Sequence, residues 1–96
     1  MNKDEQLRQI TKYFGIETEL TKLSEEVGEL LNECYKKHLV DNEYGDVEDE
    51  LADVFVILAQ IGLYFNIDGQ KVENIMKIKI DRTVQRIDDG WYDKHR

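Results

Sequence analysis

The chain of 96 residues contains no proline, and apolar residues recur at helical spacing through most of its length. Proline removes a backbone donor and breaks helices, so punctuation falls to glycine and to short polar clusters. A first helix is predicted from Asp4 to Phe14, with Leu7, Ile10 and Phe14 on one face and Gly15 as its stop. A second runs from Thr18 to Leu39, with the apolar series Leu20, Leu23, Val27, Leu30, Leu31 and Cys34. The segment VDNEYGD reads as a loop from its Asp, Asn and Gly content. Asp46 is placed to cap a third helix from Val47 to Phe65. NIDGQ breaks the chain again, with Asp68 as the next cap. A fourth helix from Gly69 to Asp88 carries Val72, Ile75, Met76, Ile80, Val84 and Ile87. Gly90 ends it and leaves WYDKHR as a tail. A strand over Val54–Leu58 is disfavoured, because its flanks continue at helical spacing and no partner strand exists. Long helices with short connections predict an all-α fold, an antiparallel helical bundle of about four helices in a single domain spanning 1–96.

Charge and cysteine content narrow the function. Acids outnumber bases 21 to 13, for a formal net charge of -8. That argues against general nucleic-acid binding, which needs a basic surface, and fits a protein that binds cations. The N-terminal MNKDEQLRQ has no signal-peptide apolar core, and Val54–Phe65 is too short to span a bilayer. The expectation is a cytoplasmic protein with no membrane partner. The single cysteine, Cys34, excludes an intrachain disulfide and a multi-cysteine zinc site, and is read as a small core residue.

The chemistry lies in two acidic pairs. KLSEEVGELL on the second helix holds Glu26 and Glu29, three residues apart and so on one face. EDELADVFVIL on the third holds Glu50 and Asp53 at the same spacing. On that helix Glu50, Asp53, Ile57, Ile61 and Tyr64 form one stripe, which predicts that Asp53 faces inward. Glu26 falls near Leu23 and Leu30, with Glu29 just beside that stripe. Two antiparallel helices would bring both pairs to one cleft. Four carboxylates there would raise one another's pKa values, and a divalent cation removes the conflict. Mg²⁺ suits such a site, being a hard ion that bridges carboxylates to substrate phosphates. Acidic pairs also arise by chance on solvated faces, and Glu25, Glu33, Glu48 and Asp49 are read as surface acids. Two features set the four apart. Asp53 sits in the apolar run LADVFVIL, and Gly28 lies mid-helix at a cost of about 1 kcal/mol relative to alanine. Such a glycine makes sense where another backbone or a ligand comes close. A di-iron centre is disfavoured, since neither His38 nor His95 follows a glutamate by three residues.

YFGIETELTKLSEEVGELLNE followed by EDELADVFVILAQI resembles the MazG-like family of all-α nucleoside triphosphate pyrophosphohydrolases. That family carries ExxE, a spacer and ExxD on adjacent helices, matched here by Glu26-Val-Gly-Glu29 and Glu50-Leu-Ala-Asp53. The resemblance covers roughly residues 13–86. It implies that Glu26, Glu29, Glu50 and Asp53 are catalytic and coordinate Mg²⁺, with Mn²⁺ as a substitute. It implies attack by water on the α-phosphorus of a nucleoside triphosphate, releasing a monophosphate and pyrophosphate. A carboxylate not committed to metal would orient the water, with Glu26 and Glu29 both open and Glu25 weaker. The family directs basic residues of the later helix at phosphates. KIKIDRTVQR matches this with Lys79, Arg82 and Arg86 at i, i+3 and i+7, although Asp81 stands where an Asn is common. The alternative for these three is surface pairing with Asp81, Asp88 or Glu73. Family members are dimers or tetramers, so a homodimer or homotetramer is expected. Two aromatic pairs, Tyr13-Phe14 and Trp91-Tyr92, are read first as packing and only second as base contacts, and Tyr35 and His38 stay open.

Two other functions fit the same residues. One is a non-catalytic helical interaction module whose acids are a solvated surface. The other is a related all-α hydrolase acting on dUTP, dCTP or a phosphoribosyl-ATP-like intermediate.

Overall fold

The computed structural model describes residues 1–39 and 46–95, which form five helices and no strand. The predicted loop falls outside the described residues except for Asp46. The chain forms two compact units, residues 1–66 and 67–96. The first holds α1 (Lys3–Phe14), α2 (Ile16–Leu39) and α3 (Val47–Tyr64); the second holds α4 (Gly69–Asp88) and α5 (Trp91–Lys94). Among the described residues no single helix is long and apolar enough to cross a membrane.

Local chemistry sets the helix ends. The Asn2 side chain accepts the Glu5 N–H at 2.8 Å, and Asp46 Oδ1 accepts the Asp49 N–H at 2.9 Å. Asp68 Oδ1 accepts from Gln70 N at 3.0 Å and Lys71 N at 3.2 Å. Each satisfies donors that the first helical turn leaves unpaired. Gly15 adopts φ 89° and donates its N–H to Thr11 O at 2.8 Å. Only glycine takes that backbone geometry without strain, so one residue turns the chain and α2 begins at Ile16, two residues earlier than predicted. Within the tail, residues 91–94 form the single turn α5.

The first unit is built around the pairing of α2 with α3, with α1 packed against both. Its buried residues are Leu7 and Thr11 from α1, Glu19 from α2, and Val54, Ile57 and Gln60 from α3. This corrects several expectations. On α1, Ile10 and Phe14 are exposed and Thr11 takes the inner position beside Leu7. On α2, Leu20, Val27 and Leu31 are exposed, whereas Leu23, Leu30 and Cys34 are half-buried. On α3, Tyr64 is exposed, and so is Asp53. Asp53 lies about 40° around the helix from Ile57, at 100° per residue, which puts it on the margin of the seam. The cost of burying its charge does not arise.

Three polar groups enter the core. Gln60 Nε2 donates to Thr11 Oγ1 at 2.9 Å, and Thr11 Oγ1 donates to Leu7 O at 3.1 Å. This chain of donors ties α3 to α1. Glu19 is 1% exposed, and its Oε2 has no hydrogen-bond partner among the described residues.

In the second unit no residue of α4 is buried. Its predicted apolar series, Val72 through Ile87, is exposed throughout. Arg86 lies 4.8 Å over the Trp91 ring, and Trp91 stacks on His95 at 3.9 Å and 15°. The exposed Lys77–Asp81 pair at 3.1 Å is an i,i+4 contact, of a kind worth about 0.3–0.5 kcal/mol.

Candidate metal centre

Glu26 and Glu29 share a face of α2 because three residues nearly complete a helical turn. Glu50 and Asp53 do so on α3. The two helices run antiparallel: Glu33 of α2 meets the start of α3, while Glu26 and Glu29 meet Glu50 one turn further on. Carboxylate oxygens of Glu26, Glu29 and Glu50, one from each, lie within 4.8 Å of one another. A second such group, Asp49, Glu50 and Asp53, shares Glu50. The four acids singled out in the sequence therefore come together, with Glu50 at the junction.

Asp49, expected among the surface acids, belongs to this second group. It is exposed, as expected, yet stands one turn before Asp53 on the same face. That i,i+4 spacing is the signal that could have found it. Glu33, expected on the surface, lies partly inside it instead. Glu33 is half-buried, its Oε2 accepts the Asp46 N–H at 3.1 Å and its Oε1 pairs with Lys36 at 3.2 Å. It sits two turns beyond Glu26 and pins the start of α3 against α2. Gly28 has no close neighbour: a Cβ there would meet nothing within 4 Å. The expected close backbone approach is absent among the described residues.

Electrostatics within the cluster are unfavourable as it stands. Glu50 is pushed up to about 7, first by desolvation, then by the charge of Glu29 and a hydrogen bond with it, and by Asp53 and Glu26. Glu26 is also raised, by desolvation first, then by Glu29 and Asp53, while Lys22 one turn earlier pulls the other way. Glu26 Oε2 and Glu50 Oε2 are both inaccessible to solvent and lack a hydrogen-bond partner among the described residues. A buried carboxylate oxygen without a donor is costly. The first turn of α3 offsets part of the repulsion, since Glu48, Asp49 and Glu50 sit at the positive end of the helix dipole. The donor set is all oxygen and all anionic, which fits a hard divalent cation such as Mg²⁺ and offers nothing to a soft one.

Lys79, Arg82 and Arg86 lie on one face of α4 in the second unit. Lys79 and Arg82 are exposed and form no ion pair among the described residues; Asp81 pairs with Lys77 instead. Arg86 is half-buried against Trp91. Tyr13 and Phe14 meet edge-to-face on the surface, 4.8 Å apart. Comparison with protein-family models, curated proteins and solved structures returned no match.

Proposed function

We propose that this protein hydrolyses a nucleoside triphosphate to the monophosphate and pyrophosphate, using Mg²⁺ held by Glu26, Glu29, Glu50 and Asp53. One observation carries the reading. Two carboxylate oxygens, on Glu26 and Glu50, are closed off from water and have no donor among the described residues, inside a cluster of like charge. A divalent cation supplies the missing partner. When bound, it offsets charge on phosphoryl oxygens and lowers the pKa of coordinated water.

The chain's own residues supply the rest. Glu50 and Asp53 on α3, with Glu26 and Glu29 on α2, hold the charge that positions the cation. Asp49, beside Asp53 and Glu50, adds an anionic rim. Glu26 and Glu29 are the candidates to orient the attacking water and take its proton, with Glu25 a weaker one. Lys79 and Arg82, exposed and without an ion pair among the described residues, are suited to phosphate oxygens, arginine through its planar fork. Arg86, which lies over the Trp91 ring, is the third of this set.

The reading includes assembly as a homodimer or larger homo-oligomer, in an antiparallel bundle. Residues 1–66 carry 15 acids against 6 bases, and residues 67–96 carry 6 acids against 7 bases. The cationic α4 of one copy complements the acidic first unit of another. Sedimentation at micromolar concentration tests this, and a monomer refutes it.

The exposed apolar residues of α4 equally suit a non-catalytic interaction module. Product analysis separates the two. The protein is incubated with canonical and modified NTPs and dNTPs, including dUTP and dCTP, with Mg²⁺, with Mn²⁺ and with chelator, alongside Asp53→Ala. Metal-dependent release of pyrophosphate, lost in the variant, is expected. A folded protein with no turnover and no Mg²⁺ binding returns the interaction module.

A further inference from the structure

A cavity of about 430 Å³ opens where α1, the start of α2 and the end of α3 meet. It is separate from the carboxylate cluster: Gln60, on its floor, lies ten residues beyond Glu50, about 15 Å along α3 at 1.5 Å per residue. We infer that this cavity binds a planar heterocycle carrying a phosphate, of the size of a nucleoside monophosphate.

Three features define the ligand. The floor is polar and buried, formed by Gln60 at 1% exposed and Thr11 at 8%. A primary amide has two donor hydrogens and two acceptor lone pairs. The structure gives Gln60 one side-chain hydrogen bond, from Nε2 to Thr11. The remaining capacity matches the paired donor and acceptor of an amide-like ring edge. The walls include half-buried Leu63 and Ile16, with exposed Tyr64 also lining the cavity, which together offer apolar surface to a ring. The mouth carries Arg8 and Lys12, both exposed and one turn apart on α1. Neither forms an ion pair among the described residues, although acids exceed bases 15 to 6 in this unit. Two uncommitted cations in so acidic a unit, at a cavity edge, select an anionic group, and arginine favours phosphate geometry. The volume falls within the range of about 300–1,000 Å³ usual for small-molecule sites.

The test needs neither the metal nor hydrolysis. The whole chain, labelled with ¹⁵N, is titrated in chelator with AMP, GMP, CMP and UMP, with a matching nucleoside, and with inorganic phosphate. At least one monophosphate is expected to move the Gln60 side-chain amide and the Arg8 and Lys12 backbone signals, binding more tightly than nucleoside or phosphate alone. The double variant Arg8→Ser/Lys12→Ser changes exposed residues only, and is expected to weaken that monophosphate at least tenfold while leaving the nucleoside unchanged. The inference fails if no monophosphate binds. It also fails if inorganic phosphate binds as well as the monophosphate, or if the shifts centre on Glu26 and Glu50. These outcomes are independent of whether the carboxylate cluster turns over a triphosphate.

Discussion

Binding of Mg²⁺ should be linked to the release of a proton, and the structure sets the amount. Glu50 is raised to about 7 in the metal-free protein, chiefly by desolvation and by Glu29. A coordinating carboxylate must be ionised. At pH 6 a group of that pKa holds about 0.9 of a proton, and at pH 8 about 0.1, so binding releases nearly one proton at pH 6 and almost none at pH 8. Over the same interval the apparent affinity should rise about tenfold and then level off. The raised Glu26 pushes in the same direction, and the proton belongs to the coupled cluster rather than to one oxygen. Titration calorimetry in two buffers of different ionisation enthalpy measures the released proton directly. Heats that depend on the buffer at pH 6 and not at pH 8 are expected, and Glu50→Gln should remove most of the dependence. Binding with the same affinity and the same heats at both pH values would refute the reasoning, since Glu50 would then be ionised before the cation arrives.

Three further outcomes follow from the same geometry. Because the folded pKa of Glu50 lies above its ordinary value of 4.5, its contribution to stability is fully present below pH 4.5 and is lost as pH rises towards 7; Glu50→Gln should raise the melting temperature of the metal-free protein at pH 8, and an unchanged or lower value counts against the clustered charges. Gly28→Ala adds a methyl where nothing lies within 4 Å among the described residues, so it should stabilise α2 by about 1 kcal/mol in denaturant titration; destabilisation would show that a neighbour or ligand occupies that space. Thr11→Val removes the acceptor for buried Gln60 Nε2 and should cost about 1–3 kcal/mol, measured by the same titration; a neutral result would mean that Gln60 finds another partner.

Much of the fold was legible because its punctuation is local. Gly15, Asp46, Asp68 and Gly90 end or begin helices through their own backbone or side-chain chemistry, and the structure uses each of them so. The inner faces were harder to read. Residues 51–58 of α3 are apolar nearly all round, so helical spacing alone cannot choose a face. Packing against α1 and α2 settles it on Val54, Ile57 and Gln60, which leaves Asp53 at the margin and Phe55, Val56 and Leu58 exposed. The gathering of four acids could be foreseen from i,i+3 spacing on two neighbouring helices. Glu19, Glu26 and Glu33 recur every seven residues on α2, two helical turns apart. That interval carries a glutamate into the core at Glu19 and a tether at Glu33, and neither follows from the ExxE motif. The cavity at Gln60 escaped because its walls come from three helices and no local pattern joins them.

Trp91 is the chain's single tryptophan, and in the second unit it contacts both the Arg86 guanidinium and the His95 ring. Its emission is therefore an optical label that nature has placed on residues 67–96 alone. The helices of residues 1–66 dominate the far-ultraviolet dichroism, since they hold most of the helical residues. The two signals, followed through one denaturant titration, report on different parts of the molecule without any added dye. Coincident curves would make the chain one cooperative folding unit, and separated curves would make the second unit an autonomous arm.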